Sequence, residues 1–496
     1  MNSPKLFAVH ALTLAIGATL ATSMSVHADE EGGRDFGAMI EHLLTSQSEK
    51  LFGFNRPLEG SAPATSGAYR ATEQWAHDQV LLAAGLRTTY LTREAANSTD
   101  MMAFWPNEAS PTHLITCVEG GRAAIGTNAD GSVKYNPSVQ SIDLASGEVQ
   151  TILRGMSACD GIRTTPWGTI LATEERTDGG AYEILDPLDV SNATVLDRGL
   201  PGMPAVVTAP DNIVKRIYMP TMSWEGLEVL PSGVVIGGDE LRPGTANADA
   251  DGGAIFKFVP ASPRMNDALI TDLAQSPLAS GAVFAMQVSC VNNNQQVGQG
   301  CEIGNAAWVP VNAATARTDA DAAMATGYYR PEDLHADPMY QGPGLRFCWA
   351  NTGNEGAKNY AEVVCGIDSD PLLADANTRS VVVNRFVEGD ADFNSFDNLA
   401  FQPGTGNLYV IEDHANGDVF ACLPDGADRD IKTDGCVKML SVKDSTAEPT
   451  GFMFSADGRT AYVSIQHSND ANMPKVDDYA PEDVLVITGF KVKTRD

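Results

Sequence analysis

Thr165–Arg176 reads TPWGTILATEER: a Pro and Gly turn, an apolar run in which Ile170 and Ala172 alternate, then the charged pair Glu174-Glu175. That is the pattern of a short strand that leaves a tight turn on one side and meets water or a site on the other. The plan recurs in five further segments: PTHLITCVEG from Pro111, LPSGVVIGGDE from Leu230, GPGLRFCWANTGNE from Gly342, GTGNLYVIEDH from Gly404 and ADGRTAYVSIQH from Ala456. One β-unit roughly every 50–65 residues, with one gap about twice as long, is the spacing of propeller blades. The sequence therefore predicts an all-β fold, a six-bladed and irregular β-propeller spanning residues 80–496, with a seven-bladed form as the alternative. The long gap, residues 260–330, is expected to be an insertion on a blade.

Upstream of the repeats the chain has a different character. Lys5, the apolar run from Leu6 to about Ala21, and Val26-His27-Ala28 read as a signal peptide over residues 1–28. No Arg-Arg pair precedes the run, which favours the general secretory route. The expected location is periplasmic or secreted, and no other stretch is apolar enough to insert in a membrane. Residues 29–79 form a helical and extended segment in this reading, with Phe36, Met39, Ile40, Leu43 and Leu44 at helical spacing.

A formal net charge of −31 excludes nucleic acid and anionic membrane surfaces as partners, and it repels a phosphate ester unless bound cations reverse the field locally. Eight cysteines in an exported chain point to disulfides. Six fall in close pairs, Cys290 with Cys301, Cys348 with Cys365 and Cys422 with Cys436. Cys117 and Cys159 remain, as a further bridge or as free thiols able to bind metal.

The strand ends carry the chemistry. Glu119, Glu174, Glu175, Asp239, Glu240, Asn351, Glu412, Asp413 and His467 occupy equivalent places in the repeat. In a propeller such ends converge on the central channel, and carboxylates so crowded stay ionised only beside cations. Oxygen ligands suit calcium, whereas a thiolate among them would suit iron or zinc. The segment NADADGG from Asn247 also resembles a short calcium loop, with Asp249 and Asp251 as candidate ligands.

Several segments resemble, in order, those of the PhoX-type alkaline phosphatases. TPWGTILATEER is similar to that family's TPWGT-x-L-x-x-EE signature. RPEDLHADP from Arg330, FDNLAFQPGTGNLYV from Phe396 and TGFMFSADGRTAYVSIQH from Thr450 resemble its later motifs, and DMMAFWP with HLITCVEG corresponds to an upstream one. The resemblance implies a six-bladed propeller that hydrolyses phosphate monoesters at a cluster of Ca2+ and Fe3+. By the same resemblance Glu119, Cys159, Glu174, Glu175, Glu225, Asp239 and Glu332 bind metal, Arg330 clamps the phosphate, and Glu332 takes part in catalysis. The chain departs from the family where it has Val118-Glu119 and Trp224-Glu225 in place of His-Glu pairs, and in the spacing of Cys159 from Pro166. The expected partner is a small-molecule phosphate ester, handled by a monomer. Two other functions fit the same residues, a calcium-dependent propeller lactonase or esterase and a non-catalytic calcium-stabilised binding protein.

Overall fold

The computed structural model describes residues 36–67, 69–244, 251–288, 302–424 and 435–492. The expected signal peptide, Asp249 and the Cys290–Cys301 pair lie outside these residues. Six blades of mostly antiparallel strands stand radially around a channel, and the first strand of each lines it: β1 (Thr99–Trp105), β2 (Cys159–Thr164), β3 (Trp224–Val229), β4 (Pro331–Ala336), β5 (Phe396–Phe401) and β6 (Glu448–Phe454). Each inner strand touches the next, and β6 touches β1, so the ring is closed. Each of the six repeats is the second strand of its blade, hairpin-paired to the inner strand, as in Thr169–Glu174 against β2.

The circle is shut by the start of the chain. Arg87–Ala96 forms the outer edge of the sixth blade against Pro481–Thr488, and Val80–Leu82 does the same for the fifth blade against Cys436–Val442. Asp483 anchors this seam. Its buried carboxylate accepts from Arg70 Nε at 2.7 Å, Arg93 Nε at 3.0 Å and Gln79 Nε2 at 2.9 Å. The helix Phe36–Ser46 precedes the seam and packs Ile40 and Leu44 on the outer face of blades five and six. Met39 and Leu43, which share its apolar spacing, face outward.

The long gap contains more regular structure than an insertion suggests. Gly281–Val288 is the outer strand of blade three, and Gly304–Val311 pairs both with it and with Val381–Glu388, the outer strand of blade four. One nine-stranded sheet thus runs from β3 outward and back in to β4.

Close approach of the inner strands fixes two glycines. A Cβ on Gly161 would sit 1.8 Å from the Glu225 carbonyl oxygen, and one on Gly226 would sit 2.0 Å from the Leu334 nitrogen. Backbone cannot yield as a flexible side chain can, so Gly226→Ala should cost about 3 kcal/mol or more. Gly60→Ala, which meets nothing within 4 Å, should change stability by less than about 0.5 kcal/mol. Urea unfolding of the two variants checks the contrast.

Candidate metal centre

The inner strands share a register of their own. Their opening residues are TDMM, CDGI, WEGL, PEDL and FDNL, and the sixth continues as TGFM from Thr450. Asp100, Asp160, Glu225, Glu332 and Asp397 therefore stand at the same level of one channel mouth, each 9 % exposed or less. The sixth place is taken by Gly451, and beside it the Thr450 hydroxyl donates to Asn398 Oδ1 at 2.6 Å and lies in contact with Asp100. Above this ring lies a second one, made by the residue that follows each second strand: Glu119, Glu175, Glu240, Thr352, Asp413 and His467.

Three sets of carboxylates bring one oxygen from each member within 4.8 Å of the others: Asp100, Glu119 and Asp160; Asp160, Glu175 and Glu225; and Glu225, Glu332 and Asp397. Shared members chain the sets into an arc over blades one to five. Burial, then mutual repulsion, drives the pKa of these groups upward. Asp100 is pushed up to about 8 by burial and then by the like charge of Glu119, and Glu175 to about 11. Asp160, Glu225, Glu332 and Asp397 are likewise raised, burial acting first in each. Such a site is short of positive charge, and oxygen-only ligands in this number match the coordination of calcium.

Of the seven metal ligands expected from the sequence, Glu119, Glu175, Glu225 and Glu332 meet in this arc. The other three do not. Cys159 is bonded to Cys117, with Cα atoms 5.0 Å apart, so its sulfur is not available as a thiolate. Glu174 ends its strand facing away from the channel, where it accepts from Ser157 N at 2.9 Å, Gly180 N at 3.1 Å and Arg198 Nε at 2.7 Å. Asp239 does the same with Ser223 N at 2.9 Å and Arg317 Nε at 2.7 Å. One step along a strand reverses the side to which a residue points, so Glu175 and Glu240 reach the channel while Glu174 and Asp239 fasten the blade. Glu412 repeats the device, accepting from Asn394 N at 3.0 Å and Asp418 N at 3.1 Å.

Asp100, Asp160 and Asp397 belong to the arc without having been singled out. Their signal was available as the carboxylate at the second position of five inner strands, but those strands are shorter in apolar pattern than the ones that carry the repeat. Asp251, the described half of the candidate calcium loop, is absent from all three sets.

Arg330 precedes β4 with a left-handed φ of 57°. Its guanidinium reaches over the arc, 3.2 Å from Glu332 and 3.3 Å from Asp413, and also contacts Glu240. Beside it opens a cavity of about 290 Å3 lined by Arg242, Tyr329, Asn354, Ser395 and Asp413. A cationic fork above a carboxylate arc, open to solvent on one side, is arranged to receive an anion that also touches bound cations.

The raised carboxyls make stability depend on pH. Each holds its proton more firmly folded than unfolded, so the arc's contribution to the stability of the cation-free protein is full below the unfolded carboxylate range near about pH 4 and is lost as pH rises toward about 8, where Asp100 ionises. In chelator, the melting temperature should fall across that window. Millimolar calcium should raise it by several degrees at about pH 8 and hardly at about pH 5, read by scanning calorimetry.

Residues 246–469 match the family described as alkaline phosphatase PhoX. No curated protein matches the sequence. Among solved structures, Pseudomonas fluorescens PhoX in complex with vanadate, a transition-state analogue, shares the fold at 15 % identity and a TM-score of 0.59, covering 88 % of this chain and 98 % of its own. Looser likenesses include the PQQ-bound aldose sugar dehydrogenase of Streptomyces coelicolor, at 10 % identity, TM-score 0.42 and coverage of 82 % and 99 %. A gluconolactonase from Xanthomonas campestris stands at 12 %, 0.38, and 87 % and 98 %. The family match spans most of blades three to six, a little under half of the chain, and lies on a fold that this chain shares with the P. fluorescens protein over nearly its whole length.

Proposed function

We propose that the protein is an exported phosphatase that hydrolyses phosphate monoesters at cations held by the channel carboxylates. The observation that carries this reading is the position of Arg330, 3.2 Å from Glu332 and directly over the arc. The family match and the vanadate complex of the P. fluorescens relative support it. Export rests on the leader-like first residues and agrees with the bonded cysteines.

Asp100, Glu119, Asp160, Glu175, Glu225, Glu332 and Asp397 fit calcium through hard oxygen donors. A thiolate-bound ferric ion does not fit, because Cys159 is committed to Cys117. Bound cations would polarise the phosphorus centre and supply hydroxide near neutral pH. The chain's own task is placement. Arg330 presents paired N–H donors to two non-bridging phosphate oxygens, and its left-handed backbone aims the side chain across the channel mouth. Glu332, held by Thr352 Oγ1, keeps that guanidinium oriented while contributing an oxygen to the arc. The cavity beside Arg330 leaves room for a small polar alcohol to depart.

Calcium-loaded protein should turn over p-nitrophenyl phosphate, and Arg330→Ala should lower kcat/KM about 100- to 1000-fold. Absence of turnover across pH 6 to 10, with cations bound, would overturn the proposal and leave a calcium-stabilised binding protein. A lactone cleaved in the absence of phosphatase activity would shift the assignment to a propeller lactonase. Elemental analysis of the purified protein should find calcium, with no visible absorption band from a ferric thiolate.

A further inference from the structure

The inner strands carry a second set of side chains near their other ends, three residues beyond the carboxylate positions: Ala103, Arg163, Glu228, His335, Ala400 and Phe454. Three consecutive blades thus contribute Arg163, Glu228 and His335, and the other three contribute small or apolar groups. This far mouth of the channel holds a cavity of about 560 Å3, in the range of small-molecule sites. Phe104, Pro106, Leu269 and Met453 line its apolar side, and Leu269 is 71 % exposed at the rim.

The polar side is not free to take an anion. Arg163 Nη2 donates to Asp333 Oδ1 at 3.0 Å and to the Leu334 carbonyl at 3.0 Å, and Nη1 donates to the Ile162 carbonyl at 2.8 Å. Asp333 is also met by the Leu334 N–H at 2.7 Å, the Leu399 N–H at 3.0 Å and His335 Nε2 at 3.0 Å, so guanidinium and carboxylate satisfy each other. Glu228 is different. Its Oε2 accepts the Ala336 N–H at 3.0 Å, and among the described residues no side chain makes a hydrogen bond or ion pair to its carboxylate, which Arg163 and His335 favour in its charged form from a greater distance. Glu108 adds a further negative charge to the lining.

The geometry points to a binding site for a small organic cation, with an ammonium head against Glu228 and an apolar body against Phe104, Pro106, Leu269 and Met453. A bare metal ion is the poorer occupant, since no three ligand atoms at this mouth converge within 4.8 Å among the described residues. The site lies at the opposite end of the inner strands from the carboxylate arc and does not rest on phosphatase activity.

Titration calorimetry of calcium-loaded protein with hexylammonium, hexanol and hexanoate tests it. Hexylammonium should bind at one site, hexanol at least tenfold more weakly, and hexanoate not measurably. Glu228→Gln should weaken hexylammonium at least tenfold, and Leu269→Lys, a change at an exposed rim position that leaves folding intact, should do the same by placing like charge at the entrance. Failure of hexylammonium to bind, equal binding of hexanol, or affinity unchanged in Leu269→Lys would each overturn the assignment.

Discussion

Like-charge crowding governs this molecule. Propeller symmetry places the second residue of every inner strand at one level of one channel, and five of six such residues are carboxylic acids. Brought out of water to within a few ångströms, they resist joint ionisation far more than the same groups would on a surface. The scaffold must hold them there against that repulsion. It does so with rigid parts, a ring closed at the N-terminal strand and glycines at the closest inner-strand contacts, more than with matching cations from the protein.

Positive charge is placed outside the arc with care. Arg198 and Arg317 answer Glu174 and Asp239 at the strand ends, where a buried acid also holds the backbone N–H that opens its own inner strand. Breaking such a pair leaves an orphaned buried charge, which costs about 3–5 kcal/mol, so these residues are maintained for folding. Arg330 alone is drawn over the arc, where Glu332, Glu240 and Asp413 raise its affinity for its proton against the effect of burial. The division between acids that fasten blades and acids that face the channel follows from the two-residue period of a strand.

That division explains what could be read in the sequence. The all-β class, six blades and the position of every second strand were legible because turns and alternating apolar residues recur there, as in Leu408–Glu412. Channel membership of Glu119, Glu175, Glu225 and Glu332 was legible too. Choosing between Glu174 and Glu175, or Asp239 and Glu240, needed the side to which the terminal residue turns, and that is set by bulges such as the shift between Ala172 and Glu174. Asp100, Asp160 and Asp397 were harder to see because inner strands are enclosed on every side and show no alternation to frame them. The fate of Cys159 depended on Cys117, a partner 42 residues away whose approach only the packed blades reveal.

Blades in a propeller ordinarily meet through side-chain packing alone, yet blades three and four are joined by backbone pairing through Gly304–Val311. Two staves of the barrel are in effect glued along their outer rims. Motions that let the ring breathe must then be taken up at the other junctions, while Glu225 and Glu332, at the two inner ends of that continuous sheet, travel as one body. Those two acids keep their spacing when the remainder of the mouth widens or narrows.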